Sequence, residues 1–106
     1  MPDLEKLSAV AMEIITYSGA AKSTYIQAMH LAKKQQVEEA NEKIIEGDNY
    51  LKQAHDKHLG LLQEEANTNV PQVSMLVLHA EDQFMSCETI KIMVQEFIEL
   101  YKERNQ

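Results

Sequence analysis

One cysteine, two prolines, three glycines and no tryptophan stand among 106 residues, and each scarcity removes a class of protein. A lone Cys87 cannot form an intrachain disulfide or a cysteine-cluster metal site. So little Gly and Pro rules out collagen-like and linker-like chains and leaves few places to break a helix. No apolar run exceeds four residues, as in Met75 to Leu78, far short of the roughly 20 that a membrane-spanning helix needs. Direct membrane insertion is not expected. Cations are short as well: ten Lys and Arg face seventeen Asp and Glu, for a formal charge of -7. Nucleic-acid affinity rests on cations at phosphate, and without an excess or a cluster of them nucleic acid is not an expected partner. The residues after Met1 show no basic stretch followed by an apolar one, so the expected location is cytoplasmic.

What remains is 44% hydrophobic, enough for one folded domain over residues 1–106. Leu4, Leu7, Ala11, Ile14 and Ser18 recur at three-and-four spacing, and Val10, Tyr17, Ala21, Tyr25, Ala28 and Leu31 widen the stripe. This predicts a first helix over residues 3–32, with Gly19 an interior weakness or a close-packing point. Val37, Ala40, Ile44, Leu51, Ala54, His58, Leu61 and Leu62 predict a second over 36–65. Asn67 to Pro71 reads as a loop, and Ser74 offers a cap for a third helix over 73–102. The connections are short, so the expected fold is all-α, an antiparallel up-down three-helix bundle. Helices of about thirty residues run about 45 Å, which makes the bundle elongated and its core thin.

The third helix carries two seams. One runs Leu76, Ala80, Gln83, Cys87, Ile90, Val94, Phe97 and Tyr101; the other runs Met75, Leu78, Asp82, Met85, Thr89, Ile92 and Glu96. Two seams imply two packing partners, one the rest of the chain and the other, in the oligomeric reading, a symmetry-related third helix about an axis. A single broad core face is the plainer alternative. Asp82 is the odd residue of the second seam, because a carboxylate among apolar neighbours is costly unless exposed, paired or bound to a cation. Three copies converging on an axis would repel one another, and a divalent cation there would relieve the conflict. A lone Asp at the edge of a helix is more often solvated or engaged in an ordinary polar contact.

Helix periodicity sets His79 on one side with Asp82 and Gln83, and turns Glu81 roughly away. A neutral imidazole is an available nucleophile near pH 7, and phosphorylation of its ring gives a labile N–P bond suited to onward transfer. Gln83 could donate to phosphate oxygens, whereas Asp82 would repel them. From the residues alone, a non-catalytic His79 stays open.

The chain resembles the enzyme IIA component of the lactose and cellobiose (diacetylchitobiose) family of the bacterial sugar phosphotransferase system. The resemblance rests on Ile14-Ile15-Thr16-Tyr17-Ser18-Gly19-Ala20-Ala21-Lys22-Ser23, Ala54-His55-Asp56-Lys57-His58 with Leu61-Leu62-Gln63, Leu76-Val77-Leu78-His79-Ala80-Glu81-Asp82, and Glu99-Leu100-Tyr101-Lys102. It implies a phosphotransferase component in which His79 accepts a phosphoryl group from the phosphocarrier HPr and delivers it to a cysteine of the cognate enzyme IIB. It also implies a homotrimer and a metal-linked Asp82, with Mg2+ the expected divalent cation at the trimer axis. Glu81 and Gln83 stand where the family commonly has Gln and His, Lys22 where Arg is common and Ala20 where an acidic residue is common. Those departures touch partner choice and transfer rate, and they motivate the alternative of a non-catalytic trimeric regulatory or adaptor paralogue.

The remaining candidates read as structural. His30 suits a helix C-terminus, and His55 and His58 are packing residues or partners around the reactive site. Cys87 is expected as a buried, inert thiol, and the six methionines as fillers of core gaps.

Overall fold

The computed structural model describes residues 3–104, so the outermost positions of the 1–106 domain, Met1, Pro2, Asn105 and Gln106, lie outside the described residues. Three helices follow one another, α1 (Leu4–Lys33), α2 (Val37–Thr68) and α3 (Met75–Glu103), and no strand occurs among the described residues. Asp3 opens α1, its Oδ1 accepting from the backbone N–H groups of Glu5 at 3.0 Å and Lys6 at 3.2 Å. The turn into α2 is a Schellman closure, with Gln36 N–H donating to the Leu31 carbonyl at 2.9 Å and Gln35 to Ala32 at 3.0 Å. Gln35 takes the left-handed conformation usually left to Gly.

Two expected boundaries move. The second helix runs three residues past the expected Glu65 to Thr68, whose hydroxyl donates to the Glu64 carbonyl at 2.7 Å. Asn69 then ends it in the left-handed region at φ 60°, which Asn tolerates better than most residues. The third helix starts at Met75 rather than residue 73, because the capping Ser74 is itself extended while its Oγ accepts from Val77 N–H at 3.1 Å. The first helix and the start of the second differ from expectation by one residue.

Leu7, Ala11 and Ile14 share one core cluster with Ala54, Leu61, Val77, Ala80 and Phe84. Ala21, Tyr25, Ala28 and Ala32 share a second with Ala40, Cys87, Val94 and Ile98. The start of α1 therefore meets the end of α2 and the start of α3, the up-down-up order expected. Four fully buried alanines on α1 let both other helices approach closely, so α1 is the spine and α2 and α3 touch each other only sparingly. The bundle measures 58 × 19 × 18 Å, with a radius of gyration of 16.5 Å. A compact domain of this length would have about 13 Å, so the bundle is elongated.

On α3 the buried line is Val77, Ala80, Phe84, Cys87, Val94 and Ile98, offset from the expected inner seam, of which Gln83 is only half-buried and Phe97 exposed. Of the methionines expected to fill core gaps, Met29 packs against the second cluster, whereas Met12, Met75, Met85 and Met93 are exposed.

Tyr25 is fully buried, and its hydroxyl donates to Asp48 Oδ1 on α2 at 2.5 Å. Lys91 Nζ of α3 lies 2.9 Å from the same oxygen. Burial first, then the hydrogen bond to Asp48 and its charge, push the Tyr25 pKa far above the usual phenol range. The ring rests directly on Gly47, where an added Cβ would lie 2.6 Å from a ring carbon. Gly19, by contrast, is exposed with nothing within 4 Å of such an atom, so it is a tolerated weakness and not a packing point.

The two glycines should respond oppositely to the same change. Gly47→Ala is expected to lower unfolding free energy by about 1–3 kcal/mol through overpacking, and Gly19→Ala to raise it by about 0.5–1 kcal/mol through helix propensity. Denaturant titration with circular dichroism checks both, and a Gly47→Ala chain as stable as the parent would contradict the packing described.

Candidate functional site

His79 sits on the second turn of α3, just beyond the Ser74 cap. Buried Val77 and Ala80 hold the backbone on either side of it, while the imidazole is exposed. Among the described residues it has no hydrogen-bond or ion-pair partner, so its ring nitrogens are free for an incoming group. Gln83, one turn on, is half-buried and likewise unpartnered. Asp82 is exposed and unpaired. Helix spacing thus brings His79, Asp82 and Gln83 onto one open surface, as read from the sequence.

Glu81 points the other way and is not idle. Its Oε1 lies 2.6 Å from Nδ1 of His58 on α2, and both side chains are partly buried. A carboxylate only accepts, so His58 Nδ1 carries the proton in this contact. The His58 ring also stacks on Phe84, with centroids 5.0 Å apart and planes at 27°. His55 meets Phe84 more loosely at 6.1 Å, is exposed, and lies 3.7 Å from Asp56. His58 is thus a hydrogen-bonded packing residue, one of the two readings open in the sequence. Its partner Glu81 was missed because nothing in a sequence links positions 23 residues apart on different helices. His30 is exposed in the last turn of α1, where a cation complements the helix dipole.

Cys87 is buried in the second core cluster, where desolvation and then Glu88 push its thiol up to about 11 against the opposing pull of Lys22. Lys22 is exposed and Ala20 half-buried, the Ala20 carbonyl accepting from Thr24 Oγ1 at 2.8 Å.

Asp82 interrupts an exposed apolar stripe of Leu78, Met85 and Ile92, which are 54, 60 and 60% exposed. This second seam faces away from α1 and α2. Among the described residues no three His, Cys, Asp or Glu side chains converge within one chain to hold a metal. Asp82 supplies a single hard oxygen donor, which suits Mg2+ or Ca2+ in kind and needs further ligands in number. A groove of about 550 Å3 runs between the start of α1 and the end of α2, lined by Lys6, Leu7, Val10, Gly60 and Leu61. His79 does not line this groove and stands exposed on the surface of α3. No helix is long and apolar enough to cross a membrane among the described residues.

Comparison with known proteins finds the same three-helix fold in a described family. Residues 9–102 match the family described as the phosphotransferase system lactose/cellobiose-specific IIA subunit. The oligo-beta-mannoside-specific EIIA component of Bacillus subtilis (strain 168) is 33% identical, covering 91% of this chain and 87% of that protein. The lactose-specific EIIA component of Lactococcus lactis subsp. lactis is 28% identical, over 92% of this chain and 93% of its own. Among solved structures, the cellobiose-specific enzyme IIA from Bacillus anthracis superposes with a TM-score of 0.88 at 31% identity, covering 99% of this chain and 94% of that one. PtcA from S. mutans gives 0.90 at 32% identity, over 95 and 99%.

The raised thiol pKa and the burial together predict an inert cysteine. Native chain at pH 8 should resist iodoacetamide at Cys87, and denaturant should release rapid alkylation, both read by intact mass. Fast labelling of the folded chain would contradict the burial.

Proposed function

The chain belongs to the lactose/cellobiose-specific IIA family of the sugar phosphotransferase system, and we propose that His79 is the residue that carries its phosphoryl group. The carrier role implied by the family needs one accessible nucleophile, and the free, exposed imidazole on α3 is the observation that supports His79 most directly. In the proposed sequence a lone pair of His79 attacks the phosphorus of phosphohistidine on HPr. The N–P bond of the donor breaks and its imidazole departs neutral. A thiolate of the cognate IIB component then attacks the phosphorus, an S–P bond forms, and the His79 ring leaves with its lone pair restored. Neither step needs an added oxidant or reductant. Catalysis consists of in-line placement, exclusion of water between the docked proteins, and stabilisation of the phosphoryl oxygens. The unpartnered Gln83 carboxamide is suited to the last task, since its N–H groups can donate to those oxygens.

A homotrimer is the assembly that the outer face of α3 supports. Met75, Leu78, Asp82, Met85, Thr89, Ile92 and Glu96 alternate at three and four, the spacing of a coiled-coil seam. Met75, Leu78, Met85 and Ile92 are exposed in the single chain and would be covered by the same residues of two other copies. Asp82 would then face its equivalents. A hard divalent cation such as Mg2+, held by those carboxylates, would neutralise their mutual repulsion. Its contribution in this reading is to assembly, and no step of phosphoryl transfer passes through it.

Incubation with phosphorylated HPr is expected to place one acid-labile phosphate on His79, which then passes to the cognate IIB. His79→Ala should abolish both steps while helical content and assembly persist. Phosphate at another residue, or none from competent partners, counts against the assignment and favours an adaptor role. For the assembly, chelation or Asp82→Asn is expected to alter trimer stability and metal content while leaving helical content unchanged. Sedimentation and elemental analysis test this, and unchanged assembly with no bound cation would defeat it.

A further inference from the structure

We propose that the hydrogen bond from His58 on α2 to Glu81 on α3 is a positioning device that sets the orientation of His79 for transfer. The inference rests on the assignment of His79 as the phosphoryl carrier. Within one chain His79 has no partner among the described residues, so what this chain supplies to aim the ring is the placement of the α3 backbone around it. On the core side that backbone is held by Val77, Ala80 and Phe84, whose apolar contacts are non-directional and tolerate small rotations about the helix axis. A hydrogen bond is directional, and Glu81 is placed where one restrains rotation best. Two residues from His79, it lies about 200° around the helix, on the opposite flank.

The anchoring atom is itself fixed. The His58 ring is stacked on Phe84, which is buried in the core, so Nδ1 presents its proton to Glu81 Oε1 at 2.6 Å from a restrained position. Phe84 in turn belongs to the α3 segment being held, which closes a loop of contacts through Glu81, His58 and Phe84. Direct contact between α2 and α3 is sparse. A second polar link between them, Asp48 to Lys91, lies ten residues further along α3, about 15 Å away.

The leverage is geometric. A side-chain tip about 5–6 Å from the helix axis moves by about 1 Å for a rotation of about 10°. A misplacement of about 1 Å can cost on the order of a hundredfold in a reaction that depends on in-line approach. In this proposal His58 and Glu81 act through His79 and not on the donor or the phosphate.

The test compares Glu81→Ala with Glu81→Gln in the full chain. Gln keeps an acceptor oxygen at the same reach, so the hydrogen bond rather than the charge is what is varied. Phosphorylation by phosphorylated HPr in single turnover is expected to slow on the order of tenfold in Glu81→Ala at saturating donor, with half-saturation unchanged, and to recover in Glu81→Gln. Phosphorylation by phosphoramidate, a small donor that needs no docking, should proceed at the parent rate in all three chains. Amide hydrogen exchange over residues 78–84 should accelerate in Glu81→Ala alone. Parent-like HPr rates in Glu81→Ala, an equal loss with phosphoramidate, or unchanged exchange would each overturn the proposal. A parent chain that takes phosphate from neither donor removes the His79 assignment instead, and the exchange measurement still decides whether the bond holds this segment.

Discussion

Tyr25 is a large side chain with no contact with water, and a buried phenol is tolerable only if its hydroxyl is satisfied. Asp48 satisfies it, and in doing so brings a carboxylate close to the core, which must then be balanced; Lys91 balances it. One residue comes from each helix. Because the ring also occupies the space a side chain at Gly47 would fill, the arrangement fixes the axial position of α2 against α1. A slip of one residue would bring a Cβ into the ring and carry Asp48 away from the hydroxyl. The register of the bundle thus rests on this junction, and apolar contacts, which are less selective, fill in around it.

The consequence for function lies in what α1 leaves uncovered. As the spine it buries one face of α2 and one face of α3, and α2 and α3 cover little of each other. Half of α3 is therefore on the surface, and it carries both the exposed His79 imidazole and the apolar stripe. A sugar-binding enzyme must enclose its substrate. A protein that passes a group between other proteins needs the reverse, a nucleophile on a stiff convex support that two different partners can reach in turn. A long helix pinned along its inner face supplies stiffness without enclosure.

Much of the fold was legible because helical periodicity is a local signal. The three helices, their order and the Ser74 cap follow from spacing and residue type. The errors fall where something non-local or subtle decides. The last turn of α2 was lost because Asn67 to Pro71 has loop composition, yet Thr68 bonds back to Glu64 and lets Asn69 close the helix. The inner seam of α3 was drawn one flank off because Gln83 and Phe97 fit the spacing as well as Phe84 and Ile98 do, and only the position of α1 selects between them. Hydrophobicity sends methionine to the core by a rule that holds in one direction only, since folded chains expose much apolar surface, and here Met29 follows it while four others do not. For the site, spacing grouped His79 with Asp82 and Gln83, but their chemistry came from the family resemblance. The Glu81 to His58 contact had no signal at all.

The bare state of His79 makes physical sense beside the well-tied groups around it. A hydrogen bond to a ring nitrogen would occupy the lone pair or proton that transfer uses, and breaking it would add to the barrier of each exchange. A charged carboxylate directly against the ring would repel the arriving phosphoryl oxygens. The one strongly bonded acid nearby, Glu81, is directed to the far side of the helix and engaged by His58, which leaves Asp82 as the carboxylate that shares the reactive side. Its charge acts against phosphate unless a cation or assembly offsets it. In the proposed role, phosphoryl transfer at His79 and the environment of Asp82 are therefore coupled by electrostatics, although the two side chains need not touch.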